Sequence, residues 1–267
     1  MDFDLQAFRR PCAIGFRVEV HDQGHRFQNC TFQGQHGNMR AHDHLRVADR
    51  QTCLYHLRGR PEDPCYCRRP KEDCVCNRWW TGSPLISFFT NWNAALRRRQ
   101  RMIDEGATEV LIIAVWLKGL PGVYDAYSIA SALDLRNNNN LDPFLHEVWI
   151  HGGISADSYR ILAMFHGTDN LEELALRVDG LTMMVWIPGG FIHAARARTY
   201  NGRPDATDTL RNEIQARTGI IDNTKFLHLA LSIGNVSYTV QNNNASTEII
   251  AWPFGGMNWR VAPIAAV

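Results

Sequence analysis

The sequence predicts a mixed helix and strand fold of the α/β or α+β class, built as one large domain or as one domain with a smaller appendage. Three observations predict it. The 267 residues are 45% hydrophobic and 21% charged, which is the composition of a chain that buries a core rather than of a collagen-like or disordered one. Segments with a readable period divide between short apolar or alternating runs and stretches whose apolar residues share a single helical face. The longest apolar run, residues 110 to 117, reads as a buried strand and falls far short of the roughly 20 residues that cross a bilayer. With 28 basic against 27 acidic side chains, a formal charge of +1 provides no global field to gather polyanions, so dedicated nucleic-acid or anionic-membrane binding is disfavoured.

Each element follows in order. Residues 13–20, AIGFRVEV, alternate and form a first strand carrying Arg17. Residues 21–84 are rich in polar residues, Gly, Pro and Cys with little periodicity, and read as a long, loop-rich insertion. A short strand spans 85–89, after which Thr90 or Asn91 caps a helix with Trp92, Ala95, Leu96, Met102 and Ile103 on one face, ended by Gly106. Its cluster Arg97, Arg98, Arg99 and Arg101 is a solvated basic face that complements the helix dipole. The central strand comes next, then a helix within 123–135, the loop RNNNNLDPF, and a strand over 145–151 with Leu145, Glu147 and Trp149 on one face, broken by Gly152 and Gly153. Residues 160–165 form a further strand, and Asp169 followed by Glu172 suggests a capped helix through Arg177. Beyond 181 the pattern turns strand-heavy, in LTMMVWI, FLHLALSI, VSYTV and TEIIAW, with one helix over 208–218.

Seven cysteines, an odd number, exclude complete intramolecular pairing. Four lie in CYCRRPKEDCVC, where Cys65, Cys67, Cys74 and Cys76 form two CxC pairs across a Pro-containing turn. Four thiolates there could close a structural zinc site, and two disulfides would serve equally in an oxidising compartment. His21, His25, His36, His42 and His44 could add ligands, but read more simply as a solvated loop. The N-terminal segment shows two early acids and no apolar stretch of a secretory signal, while sequons at Asn29, Asn235 and Asn244 leave secretion undecided. A secreted effector and a cytoplasmic protein both stay open.

The chain has no GxGxxG after a strand, no phosphate-binding P-loop, no GxSxG elbow and no HExxH. What it offers is an Arg on the first strand, a Ser at a strand end and a Glu on a strand closing on Gly-Gly. In that order these resemble the Arg-Ser-Glu class of mono-ADP-ribosyltransferases, the group of cholera toxin and the heat-labile enterotoxin A chain. HEVWIHGGIS supplies Glu147, Gly152, Gly153 and Ile154; LISFFTNWNAALRRRQ places Ser87 on the first Ser of a Ser-Thr-Ser motif, with Phe88 and Phe89 in place of the rest. In AIGFRVEV, Phe16 and Arg17 stand for the Tyr-Arg of the family's first strand, and Glu19 for its Asp.

The resemblance covers about residues 13 to 166 and implies an α+β fold, an ADP-ribosyltransferase-like split β-sandwich with helices. It places this domain in 1–180, with the insertion at 21–84 and a strand-rich C-terminal region over 181–267. It further implies NAD as co-substrate, catalytic Glu147, Ser87 and Arg17, and an NAD site shared by Arg17, Phe16, Ser87 and Phe89. The acceptor is expected to be a macromolecule, most simply a protein, without excluding nucleic acid; no membrane span is expected. Where transferases of this class that modify arginine carry Glu or Gln two residues before the catalytic Glu, this chain has Leu145, which can neither accept a proton nor bond a guanidinium. Phe144 and Leu145 thus become the expected acceptor-facing residues, and the expected reaction is transfer to something other than arginine, or NAD hydrolysis. The alternatives are a catalytically degenerate binding module on the same fold and a zinc-stabilised interaction protein. Trp79 and Trp80 could stack on a base, though loop packing is their simpler role.

Overall fold

The structure, a computed structural model, describes residues 3–20, 30–32, 39–41, 48–58, 84–107, 110–117, 119–133, 141–155, 158–165, 170–178, 181–190, 199–200, 202–219, 222–243, 246–252 and 259–264. In chain order its strands are β1 (Ile14–Val20), β2 (Cys30–Phe32), β3 (Met39–Ala41), β4 (Leu85–Phe89), β5 (Val110–Trp116), β6 (Val123–Asp125), β7 (Glu147–His151), β8 (Gly153–Ile154), β9 (Arg160–Phe165), β10 (Leu171–Val178), β11 (Leu181–Pro188), β12 (Thr199–Tyr200), β13 (Arg203–Pro204), β14 (Ser237–Asn243), β15 (Ser246–Trp252) and β16 (Trp259–Ile264). The helices are α1 (Arg50–Arg58), α2 (Trp92–Asp104), α3 (Ala126–Ala132), α4 (Thr207–Thr218) and α5 (Asn223–Ile233). The pairing of these strands is antiparallel, and the fold class is α+β. None of the described helices is long and apolar enough to cross a membrane.

Two compact units interleave along the chain. The first takes Met1–Cys12, Gly24–Phe89 and Lys118–Tyr159; the second takes Ala13–Gln23, Thr90–Leu117 and Arg160–Val267. In the first unit β7 lies between β6 and β4, with Ser87 opposite Trp149 and Phe89 opposite Glu147. Ile86, Phe88, Val148 and Ile150 fill one face of this sheet and are almost completely buried. On the other face Leu85, Tyr124 and Trp149 join Cys53 and Leu57 of α1 and Ile129 and Leu133 beside α3 in one apolar cluster. Asp125 starts α3 by accepting the Ser128 N–H at 2.8 Å and also receives Arg10 at 2.8 Å, which pins the N-terminal segment to the sheet. Gly152 and Gly153 mark a corner: at φ +74° and +145° they occupy backbone regions that L side chains rarely adopt. The Gly152 N–H bonds the Pro84 carbonyl at 2.7 Å, and the chain leaves β7 to pair β8 with β3 in a separate sheet.

In the second unit β5 runs between β1 and β9, as expected for the longest apolar run. The Asn91 side chain accepts from Ala94 N–H at 3.1 Å and starts α2, whose Trp92, Ala95, Leu96 and Met102 face inward. Trp92 is fully buried, meets Phe16 and Phe165 edge-on, and donates its indole N–H to the Trp186 carbonyl at 3.0 Å. Arg99 is buried rather than solvated and donates to the Val110 carbonyl at 3.1 Å. It tethers the end of α2 to the start of β5, which corrects the reading of all four arginines as one basic face.

Two further expectations are overturned. Residues 171–178 form a strand, not a helix: Leu174, Leu176 and Val178 alternate inward, and β10 pairs with β11 along its full length. The cross-strand partners Val185, Met183 and Leu181 bury that face, so pairing overrides the helical preference of Glu-Glu-Leu-Ala-Leu. Conversely FLHLALSI lies in α5, where every residue from Phe226 to Ile233 is buried. Asp222 caps that helix by accepting the Thr224 and Lys225 N–H groups, and a continuous apolar run suits a helix buried all round as well as a strand. Within the supposed loop-rich 21–84 lies α1, begun by Asp49, whose carboxylate accepts the Thr52 N–H at 2.8 Å.

A polar staple joins the β10–β11 ribbon to α4. Asp205 accepts Thr207 N–H at 3.0 Å and Arg177 Nε at 2.7 Å, and the Thr207 hydroxyl accepts the Arg177 N–H at 2.6 Å. Burial pushes the Asp205 carboxyl up, but the Thr207 bonds and the Arg177 guanidinium outweigh it and hold the group below its ordinary value. The stability it contributes is therefore present above the unfolded carboxylate range and lost as pH falls through the lower folded value. Asp205→Ala should cost about 1–3 kcal/mol at neutral pH, little of it from the half-exposed Arg177 pair. Thermal unfolding at pH 7 and pH 3 checks this: the variant should melt lower at pH 7 and lose less than the parent on acidification.

Candidate functional site

The β4–β7 pair builds the candidate site. Residues directly opposite in an antiparallel ladder project from the same face, and residues two apart on one strand do so too. Ser87, Phe89, Glu147 and Trp149 thus share one face. Ser87, Phe89 and Glu147 are half-buried at its margin, while Trp149 is fully buried beside them. The strand predicted over 145–151 begins at Glu147; Leu145 ends a short 3₁₀ turn, Asp142–Phe144, and does not continue the Glu147 face.

A histidine completes the group. His56 on α1 shares a hydrogen bond of 2.8 Å between its Nε2 and the Ser87 hydroxyl, and its ring stands edge-on to Trp149 at 4.7 Å between centroids. The Trp149 indole N–H in turn donates to Glu147 Oε1 at 2.8 Å. Ser87, His56, Trp149 and Glu147 therefore form a continuous chain of contacts within the first unit. Sequence reading missed His56 because α1 lay hidden in a polar, Cys-rich stretch. The available signal was Asp49 as a cap to Thr52, with Cys53 and Leu57 one helical turn apart and His56 beside them.

Arg17 belongs to the second unit. On β1 it stands opposite Ile113, is buried, and pairs with Glu19 at 3.2 Å from the same face of the strand. Glu19 is thus a carboxylate that holds this Arg. Phe16 points the other way, fully buried against Trp92, so its ring packs the core of this unit rather than joining the Arg17 face.

Chemically, the first unit offers a carboxylate fixed by an indole N–H, a hydroxyl fixed by an imidazole, and a mixed apolar and polar margin. Phe144 is half-buried against the apolar cluster, whereas Leu145 is 47% exposed immediately before the Glu147 strand. Cys65, Cys67, Cys74 and Cys76, like Trp79, Trp80 and the histidines at 21, 25, 36, 42 and 44, lie outside the described residues. Among the described residues no group of three or more His, Cys, Asp or Glu could hold a metal. Comparison with known families finds no family model that matches this chain, and comparison with curated proteins finds no significant match.

Cys53, one turn before His56, is fully buried, and burial followed by the nearby Asp49 charge pushes its thiol up to about 12. It is a thiol at any physiological pH and supplies no nucleophile. Iodoacetamide at pH 8 followed by peptide mapping should leave Cys53 unmodified in the native protein and label it only after denaturation, after the half-buried Cys12.

Proposed function

We propose that this chain is an NAD-consuming mono-ADP-ribosyltransferase that transfers ADP-ribose to a non-arginine macromolecular acceptor or hydrolyses NAD, in the manner of a toxin or effector. The observation that carries the proposal is the strand of Glu147 closing on Gly152-Gly153, with Ser87 across the ladder on the same face. The split β-sandwich and the roles below belong to this reading. Cleavage of the nicotinamide–ribose bond sends the bonding pair to nicotinamide and leaves an oxocarbenium-like ribose, on which water or an acceptor forms the new bond and gives up a proton. A fixed carboxylate beside that carbon stabilises the positive charge as it develops. Glu147 takes this part, and the Ser87 hydroxyl, held by His56, serves to orient the catalytic carboxylate. Phe89 flanks the same face as an apolar contact for the dinucleotide. Arg17 presents a planar fork for phosphate oxygens, with Glu19 fixing its Nε.

Leu145 sets the acceptor. Exposed and apolar where arginine-modifying transferases have an acid or amide, it provides no partner for a guanidinium. With Phe144 it makes the acceptor-facing surface apolar.

Incubation with labelled NAD, with and without cell lysate, tests the reading through free nicotinamide and labelled macromolecules. Glu147→Gln should lower NAD cleavage by about 10²–10³-fold while leaving NAD affinity within a few-fold, because the amide keeps the shape and loses the charge. Arg17→Lys should weaken NAD binding without stranding the Glu19 charge, since it keeps a cation and removes the fork. Equal loss of binding and turnover in Glu147→Gln, or no nicotinamide release by the parent, would end the proposal. Agmatine should be a poor acceptor for the parent and a better one for Leu145→Glu; efficient agmatine labelling by the parent would overturn the account of specificity, leaving Asp142 as the nearest other carboxylate in sequence.

A further inference from the structure

We infer that Trp149 is a positioning residue, an indole that fixes the Glu147 carboxylate from below and ties it to the His56–Ser87 pair. The inference rests on the transferase reading for its effect on turnover, though not for the contact itself. Neither the resemblance nor the residue order points to Trp149; the geometry does. An indole has one polar hydrogen and no acceptor, so it can serve only one partner at a time. Here that hydrogen goes to Glu147 Oε1 at 2.8 Å. Trp149 cannot readily turn away, being fully buried, paired across the ladder with Ser87 on one side and Tyr124 on the other, and packed in the apolar cluster of the first unit.

A buried, rotamer-locked donor does for a carboxylate what a flexible surface side chain cannot. It sets the plane of the carboxylate before any ligand arrives. The His56 ring that bonds the Ser87 hydroxyl stands edge-on to the same indole at 4.7 Å, so the indole walls that ring on one side. One side chain therefore registers both polar groups, which lie on different strands. A Phe at this position would keep the wall and lose the donor. Misplacing a reacting group by about 1 Å can cost up to 10²-fold in rate, with little effect on binding made elsewhere.

The test separates the contact from the chemistry. In a ¹H–¹⁵N spectrum of the uniformly labelled protein, the indole peak that vanishes in Trp149→Phe is assigned to Trp149; Trp149→Tyr is the second assignment variant should the first fail to fold. That peak should move in Glu147→Gln. For NAD cleavage, Trp149→Phe should lower kcat by about tenfold to a hundredfold with KM within about twofold. An indole peak indifferent to Glu147→Gln overturns the inference, as does a Trp149→Phe protein with unchanged kcat or with kcat and affinity lost together. A peak that responds in a chain releasing no nicotinamide overturns the transferase reading instead.

Discussion

The register of β4 against β7 is the constraint on which the site depends. Ser87 faces Trp149 and Phe89 faces Glu147, and a slip of one residue by either strand would put Ser87 and Phe89 on the face opposite Trp149 and Glu147. Two features make that slip costly. Either Ile86 and Phe88 or Val148 and Ile150 would leave the face they now bury, and Ser87 or Glu147 would be carried into it. The Gly152 corner bonds back to the Pro84 carbonyl and so fixes where the two strands end relative to each other. The Gly-Gly pair, a motif in the sequence, is thus also the clamp on the register.

The second unit solves a different problem, that of holding a guanidinium in an apolar strand. Arg17 and Glu19 are both buried, and removing charges from water costs more than their attraction returns unless the geometry is good and further bonds help. Placing the partner two residues along the same strand face brings the carboxylate within reach of the guanidinium, because the strand itself sets the spacing. The pair is local in the chain, so the Arg-x-Glu pattern on an alternating strand is enough to bring the two side chains to one face.

What the sequence made legible was whatever is local. The Asn91 cap, the inward face of α2, the central β5 and the Gly-Gly break all follow from neighbouring residues. The sequence misleads where a distant partner decides. Residues 171–178 carry helix-favouring residues and become a strand because β11 completes their buried face; FLHLALSI carries strand-favouring length and becomes a helix because it is buried all round and Asp222 caps it. At the site, Glu147 and Ser87 could be named from short motifs. His56 could not, since its meaning lies in a contact 31 residues away, and Trp149 could be placed on the Glu147 face but not given its donor role.

The interleaving of the two units constrains how the chain can be divided and assembled. Each unit draws on three separate stretches of sequence, and β1 must wait for β5, and β4 for β7, before those pairs can form. The second unit begins at Ala13 while the first runs on to Tyr159, so synthesis cannot complete one unit before starting the other. Such non-local pairing slows folding, since loop closure costs entropy before contacts repay it. For the same reason no single backbone cleavage releases either unit whole: each would leave with a strand or helix of the other still attached.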